Sequence, residues 1–269
     1  VNVAIIGAGM MGAMLARAHA RFAPDDRFAV SVANRSPVRL ETLAAEVPGL
    51  RTGPAEALAS EADLLFLCLT PAPFLEAAGR LSQRMPPGAV FVSITNGVTL
   101  EAIAAVVDRP IVKVVPSLAH DVGRGVALLI RGPGASDGDL GRVAAFMKQF
   151  AKVQEITDAD ARIATNLTGC GPALIACFAE LLADTAAEFS LALTPRQLRA
   201  MIAETLVGTG ALVDAGRSLE EVEEHVATPG GSTEAALAVL RRRLPEVLDA
   251  MHQATSARLV RNVRPGPAA

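Results

Sequence analysis

Three glycines near the start of the chain have the spacing of a phosphate cradle. Gly7, Gly9 and Gly12 form G-x-G-x-x-G around Ala8, Met10 and Met11, straight after the apolar run Val1-Asn2-Val3-Ala4-Ile5-Ile6. A short β-branched run, the glycines, then a helical stretch from Ala13 to Phe22 is the order a dinucleotide-binding βα turn needs. Gly7 would make the tight turn, Gly9 would let the backbone approach a pyrophosphate, and Gly12 would let helix and strand pack closely. The helix N-terminus would offer its N–H groups to the phosphates. The bland alternative is a glycine-rich turn; the flanking strand and helix favour a nucleotide site.

A second candidate lies where the next strand, Phe28–Ala33, ends at Asn34-Arg35-Ser36-Pro37. An NAD site would carry Asp or Glu there for the ribose hydroxyls. A neutral Asn34 followed by the Arg35 guanidinium and the Ser36 hydroxyl suits a 2′-phosphate, so the expected cofactor is NADP (NADPH), with NAD possible. Ser36 would also serve as cap to the helix that Pro37 opens.

The elements that must position these groups alternate. A helix is expected at Val38–Val47, then a near-continuous apolar run, Asp63 to Leu69, that reads as a strand buried on both faces. That run ends at Leu69 in Thr70-Pro71, at the edge where ligands collect in open α/β sheets. A helix at Ala72–Arg84 and a strand at Ala89–Ile94 follow, then the turn Thr95-Asn96-Gly97-Val98, with Thr99 capping the next helix. Asn96 thus sits at a second strand end. Strands at Ile111–Val115 and Val126–Ile130 and a helix at Gly138–Phe150 complete an α/β N-terminal Rossmann domain with a doubly wound, mostly parallel sheet, over 1–156. An all-α dimerisation domain is expected over 157–263 and a flexible tail over 264–269. Its helices read as 158–189, bent at Gly169–Pro172, then 195–215, 219–225, 232–240 and 245–262. Stretches 167–183 and 201–213 are apolar all round, as expected of helices buried against a second subunit.

Composition excludes several functions. Hydrophobic residues make up 51% and charged residues 20%, which supports a core. A formal charge of −3 with 3% aromatics gives no basis for nucleic-acid binding. No apolar run is expected to reach membrane-spanning length uninterrupted, and a strand starting at Val1 leaves no room for a leader, so a cytoplasmic location is expected. Cys68, Cys170 and Cys177 lack metal-ligand spacing and read as buried reduced thiols; no metal site is expected. There is no tyrosine, and the only lysines are Lys113, Lys148 and Lys152. Neither a tyrosine acid nor a lysine of the helical domain can therefore take part in catalysis, which removes the β-hydroxyacid dehydrogenases that share this domain order.

Leu167-Thr168-Gly169-Cys170-Gly171-Pro172-Ala173, Phe178 to Asp184, and Ala227-Thr228-Pro229-Gly230-Gly231-Ser232-Thr233 resemble the signature of the pyrroline-5-carboxylate reductases. Thr194-Pro195-Arg196, Val98-Thr99-Leu100 and G-x-G-x-M-G also fit, so the resemblance spans nearly the whole chain. It implies NADPH-dependent reduction of a cyclic imino acid to proline or a relative, in homodimers or rings of dimers. Three places depart from the family. Thr70-Pro71 stands for Lys-Pro, Val115-Pro116-Ser117-Leu118-Ala119 for Met-Pro-Asn-Thr-Pro, and Thr168-Gly169-Cys170-Gly171-Pro172 for Ser-Gly-Ser-Gly-Pro. The resemblance places these positions, Ser117 included, facing nicotinamide and substrate.

Hydride transfer to C=N needs an anchor for the carboxylate and a donor at nitrogen. The resemblance gives the anchor to Thr228, Gly230, Gly231 and Ser232, whose glycines before a helix would expose backbone N–H groups. It gives the hydrogen bond to the imine nitrogen to Thr233. An iminium is already protonated near neutrality, in keeping with the absence of Tyr and of any lysine in the helical domain. The alternative for this segment is a helix cap. His19, His225 and His252 read as surface or packing residues; His120, in the altered loop with Asp121 and Arg124, could meet a substrate carboxylate. Two other functions remain open: reduction of a different imine or ketimine acid, and a catalytically silent NADP-binding module.

Overall fold

A computed structural model describes residues 1–23 and 25–263. Contacts divide the chain into two units, Ala173–Ala254 and the rest. The first unit opens with β1 (Asn2–Ile6), α1 (Met10–Phe22), β2 (Ala29–Ala33), α2 (Pro37–Glu46), β3 (Arg51–Thr52), α3 (Ala55–Ala59) and β4 (Leu64–Leu67). It continues with α4 (Pro71–Ser82), β5 (Val90–Ser93), α5 (Leu100–Ala104), β6 (Ile111–Val115), β7 (Val126–Arg131), α6 (Asp137–Met147), β8 (Lys152–Ile156) and α7 (Ala161–Thr168).

The strands form one eight-stranded sheet in the order β3-β2-β1-β4-β5-β6-β7-β8. Strands β1 to β6 run parallel, β7 is antiparallel to β6, and β8 is parallel to β7. Only a 3₁₀ turn, Leu118–Val122, joins β6 to β7. With no crossover helix, the chain can return only antiparallel. From β1 the chain winds outward to β2 and β3, then comes back beside β1 as β4. That reversal opens a crevice over the C-terminal ends of β1 and β4.

Alternation along the strands makes the two cores. Val3, Ile5, Phe66, Val92 and Val114 face α1, α2 and α6 through Met14, Leu43 and Phe146. Ala4, Ile6, Leu65, Leu67 and Phe91 face α3, α4 and α5 through Leu58, Phe74 and Ile103. Both faces are covered, which is why the central strands read as unbroken apolar runs.

Several expected boundaries move. Helix α1 begins at Met10, so Met10, Met11 and Gly12 form its first turn. The short β3 and α3 carry too few residues to show a period. Strand β8 extends the sheet past the helix expected to close it; it lies at the edge, where only Val153 and Ile156 are half-buried.

The helical part comprises α8 (Gly171–Phe189), α9 (Pro195–Asp214), α10 (Leu219–Val226) and α11 (Ser232–Val263). The single helix expected over 158–189 is instead a 3₁₀ turn, α7 and α8, broken at Gly169-Cys170. The two helices expected at 232–240 and 245–262 are one, with Pro245 inside its 32 residues. A lone proline removes one intrahelical hydrogen bond, and here the helix continues through it. Thr194 caps α9 as expected, exchanging hydrogen bonds with Gln197. The tail 264–269 lies outside the described residues.

In the unit Ala173–Ala254 the apolar side chains have little cover. Phe178, Leu181, Leu182, Met201 and Val207 are all exposed, while Ala179 and Ala183 are buried. Against expectation, a window between Asp158 and Phe189, with mean hydropathy 1.4, is long and apolar enough to cross a membrane by composition alone. That stretch contains the break at Gly169-Cys170. Cys177 is exposed and Cys68 and Cys170 are half-buried, so the expectation of three buried thiols fails at Cys177, which lies on the uncovered part of α8.

Candidate active site

The glycine turn has the geometry its spacing implies. Gly7 has φ +110°, and a Cβ there would lie 2.4 Å from the Cys68 carbonyl oxygen. A Cβ on Gly12 would lie 1.9 Å from the Gly7 carbonyl oxygen, so α1 starts hard against the turn. Gly9 differs: nothing lies within 4 Å of its Cβ position. Gly9, Met10, Ala13, Arg17 and Arg39 line a cavity of about 300 Å³ beside it. The middle glycine thus faces open space at a helix N-terminus, which fits a pyrophosphate.

Asn34 ties this turn to the end of β2. Its Oδ1 accepts from the Ala8 amide at 3.1 Å and its Nδ2 donates to the Ser36 carbonyl at 3.1 Å. Ser36 stands at the N-cap of α2, but its hydroxyl makes no cap hydrogen bond, and Arg35 is exposed. These two groups are therefore available to a phosphate, while Asn34 serves the backbone.

The loops after β4 and β5 meet at the same sheet edge. Thr70 is the N-cap of α4, with Leu69 before it and Pro71 in its first turn. Gly97 packs so tightly that a Cβ would lie 2.6 Å from Pro71 Cγ. Asn96, Thr99, Lys113, Asp158, Arg162 and Thr165 line a second cavity of about 160 Å³. Lys113 is buried in β6, with Nζ 3.8 Å from Asp158 Oδ1, and burial holds its pKa below the ordinary lysine value. Arg162 Nη2 donates to Cys170 Sγ at 3.6 Å. Sequence reasoning missed Lys113, Asp158 and Arg162. The signal was a charged residue inside a strand otherwise wholly apolar.

After β6, Ser117 is 2% exposed and its hydroxyl donates to the Thr168 carbonyl at 2.9 Å. It therefore holds the end of α7, and that hydroxyl is committed within the protein. His120 is 0% exposed, with its ring nitrogens on Ser117 N and Arg124 O, both at 2.9 Å. The possibility that His120 meets a substrate carboxylate is not realised here: the ring is buried and both nitrogens are bonded within the protein. Asp121 beside it pairs with Arg17 at 3.0 Å.

In the helical unit, Pro229-Gly230-Gly231 turns into α11. Gly230 has φ +75°, and a Cβ on Gly231 would lie 2.6 Å from Thr228 Oγ1. The glycine amides are engaged: Gly230 N–H donates to Glu234 Oε2 at 2.7 Å and Gly231 N–H to the Thr228 carbonyl at 2.9 Å. The first-turn amides of Ser232, Thr233 and Glu234 have no intrahelical acceptor. Thr233 is half-buried and Thr228 exposed.

Residues 158–261 match the family model for pyrroline-5-carboxylate reductase dimerisation, and residues 2–97 that for NADP oxidoreductase, coenzyme F420-dependent. Pyrroline-5-carboxylate reductase 3 of Bacillus subtilis is 28% identical over 258 residues, 94% of each chain. A pyrroline-5-carboxylate reductase from Coxiella burnetii superposes with a TM-score of 0.88 at 22% identity, over 98% of this chain and 99% of that one. Pyrroline carboxylate reductase of Plasmodium falciparum, solved with NADP bound, gives a TM-score of 0.73 at 21% identity over 97% of each chain. At such identities the two structures speak for the fold. The uncovered apolar helices thus belong to a dimerisation domain, and the sheet to a nicotinamide-cofactor oxidoreductase.

Proposed function

Because the chain is a divergent member of the pyrroline-5-carboxylate reductase family, we propose that it uses NADPH to reduce a cyclic imino acid, of the 1-pyrroline-5-carboxylate kind, to the saturated amino acid. The carrying observation is the glycine turn, where Gly7 and Gly12 are pinned against backbone and Gly9 alone opens into a cavity.

Gly9, Met10, Met11 and Gly12 present the first-turn amides of α1 to the pyrophosphate, and Arg35 and Ser36 take the 2′-phosphate. Leu69, Thr70, Pro71 and Asn96 border the nicotinamide end. A reduced nicotinamide supplies the hydride that the C=N carbon accepts. Ser232 and the turn Thr228–Gly231 hold the substrate carboxylate through α11's first-turn amides, once Glu234 yields Gly230. Thr233 hydrogen-bonds the ring nitrogen, which enters protonated and leaves as the amine. No acid with a shifted pKa is required. The working form is a homodimer or a ring of dimers, in which a second copy covers Phe178, Leu181 and their neighbours.

A second reading keeps the chemistry and changes the substrate to another imine or ketimine acid. It is favoured by Ser117, which stands where the family carries Asn and spends its hydroxyl on Thr168. NADPH oxidation with a panel of five- and six-membered cyclic imino acids and open-chain ketimine acids tests both. Turnover of the five-membered substrate above the rest supports the first, and another preference the second. NADPH binding with no turnover of any member would mean a silent cofactor-binding module.

A further inference from the structure

His120 lies outside the residues to which the reaction has been assigned, yet both of its ring nitrogens are engaged at the sheet's C-terminal edge. It is 0% exposed. Its Nε2 lies 2.9 Å from the Ser117 backbone nitrogen, which can only donate. Its Nδ1 lies 2.9 Å from the Arg124 carbonyl oxygen, which can only accept. The neutral ring with hydrogen on Nδ1 is the one form that satisfies both. The ring thus closes the 3₁₀ turn Leu118–Val122 as a capping box with Ser117. Gly123 and Gly125, at φ +69° and +83°, carry the chain back round it, and a Cβ on Gly125 would lie 3.6 Å from Nδ1.

Ser117 passes this constraint on. Its hydroxyl donates to the carbonyl of Thr168, the last residue of α7, at 2.9 Å. Helix ends leave such carbonyls without intrahelical donors. Gly169 follows, with its Cβ position 3.5 Å from the Pro116 carbonyl oxygen. We propose that His120 is a positioning residue: through Ser117 it holds the Thr168-Gly169-Cys170 segment at the sheet edge in the geometry that substrate binding uses. This rests on the reading of that segment as bordering the imino acid.

The groups around the ring leave its protonation to burial. Asp121 and Arg124 lie in its own turn, Arg17 of α1 is occupied with Asp121, Lys152 at the start of β8 is exposed, and Phe150 packs at 6.1 Å between centroids. Burial holds the His120 pKa below its ordinary 6.5. As pH falls below about 6.5 the unfolded or opened chain takes up a proton that the closed latch refuses, so the latch is intact above that pH and weakens below it. A proton on Nε2 would also confront the Ser117 N–H.

The test uses the full-length protein, His120→Gln, which keeps a donor and an acceptor without titrating, and His120→Phe, which keeps bulk alone. Imidazole ¹⁵N shifts should show hydrogen on Nδ1 at neutral pH. The protection of the Ser117 amide, its exchange rate taken relative to the intrinsic rate at each pH, should fall about tenfold or more once the pH is well below 6.5, and at every pH in His120→Phe, as expected for losing a buried hydrogen bond. In turnover, His120→Phe should raise KM for the imino acid about tenfold while NADPH affinity stays within about twofold. His120→Gln should restore KM and flatten its acid rise. Hydrogen on Nε2, pH-independent protection of the Ser117 amide, or an unchanged KM in His120→Phe would each overturn the proposal. So would an undiminished acid rise in His120→Gln. If His120→Phe does not fold, the shifts, the exchange and His120→Gln still decide it. Should no imino acid be turned over, the functional reading fails and the positioning role with it, while the shifts and exchange show separately whether the latch exists.

Discussion

Asn34 Oδ1 and the Ala8 amide, 3.1 Å apart, join the end of β2 to the glycine turn after β1. The same side chain donates to the Ser36 carbonyl, so one amide group sets the spacing between the pyrophosphate cradle and the Arg35-Ser36 pair. Asn34→Asp keeps the acceptor for Ala8, loses the donor and brings a carboxylate to the place where NAD sites carry one. The ratio of NADPH to NADH affinity should fall by about tenfold or more, the scale of a charge-assisted contact. Fluorescence titration with both cofactors checks this, and an unaltered ratio would show that no 2′-phosphate lies near Asn34.

Arg35 is exposed and carries the only full charge at that turn. Removing a charge-assisted hydrogen bond costs ~1.5–3 kcal/mol, so Arg35→Ala should weaken NADPH by about tenfold or more and leave NADH nearly unchanged. Equal NADPH and NADH affinities in the unaltered protein would remove the basis of this prediction.

Gly9 and Gly12 should respond to the same substitution in opposite ways. A methyl group on Gly12 meets the Gly7 carbonyl at 1.9 Å, while one on Gly9 meets nothing within 4 Å. Gly12→Ala should destabilise the fold by ~1–3 kcal/mol, because backbone has to move. Gly9→Ala should melt close to the unaltered protein and lose NADPH affinity. Melting curves and cofactor titrations on the two variants read this directly; a well-folded Gly9→Ala with full affinity would place the pyrophosphate elsewhere.

Much of this was legible in the sequence because the relevant signals are local. The G-x-G-x-x-G spacing, the buried apolar strand 64–67 and the Thr194-Pro195 cap each depend on a few neighbouring residues and stand where expected. What escaped depends on partners distant in sequence. Ser117 reads as a free hydroxyl until Thr168 arrives from 51 residues away to accept its hydrogen. Lys113 reads as a strand outlier until Asp158 is placed beside it. His120 could be read as a ligand because nothing in its neighbourhood shows a buried ring with both nitrogens taken. The break at Gly169-Cys170 was visible as composition, but a bend and an interruption look alike in a glycine-proline stretch.

The uncovered face of α8 makes a prediction about assembly. Phe178 is 45% and Leu181 59% exposed, in a segment that matches a dimerisation model. Leu181→Glu or Phe178→Glu would bury a carboxylate without a partner if a second copy packs there. Sedimentation at micromolar concentration should show a dimer or larger species for the unaltered chain and a shift towards monomer for either variant. A full-length monomer under those conditions would leave these side chains without an explanation in this assembly.

Thr233 carries the last prediction. It lies in the first turn of α11, just after the Gly231 that is pressed to within a Cβ's contact of Thr228. If its hydroxyl serves the substrate nitrogen, Thr233→Val keeps the shape and removes the hydrogen bond. The loss should lower kcat/KM for an imino acid by about 10- to 100-fold, or ~1.4–2.8 kcal/mol, with NADPH affinity barely changed. Thr233→Ser keeps the hydroxyl and drops the methyl, so it should retain most of the activity. Serine as impaired as valine would show that the hydroxyl is not the working group. Unchanged turnover in both would reduce the segment to a helix start, with the Glu234–Gly230 contact as its cap and no part in the chemistry.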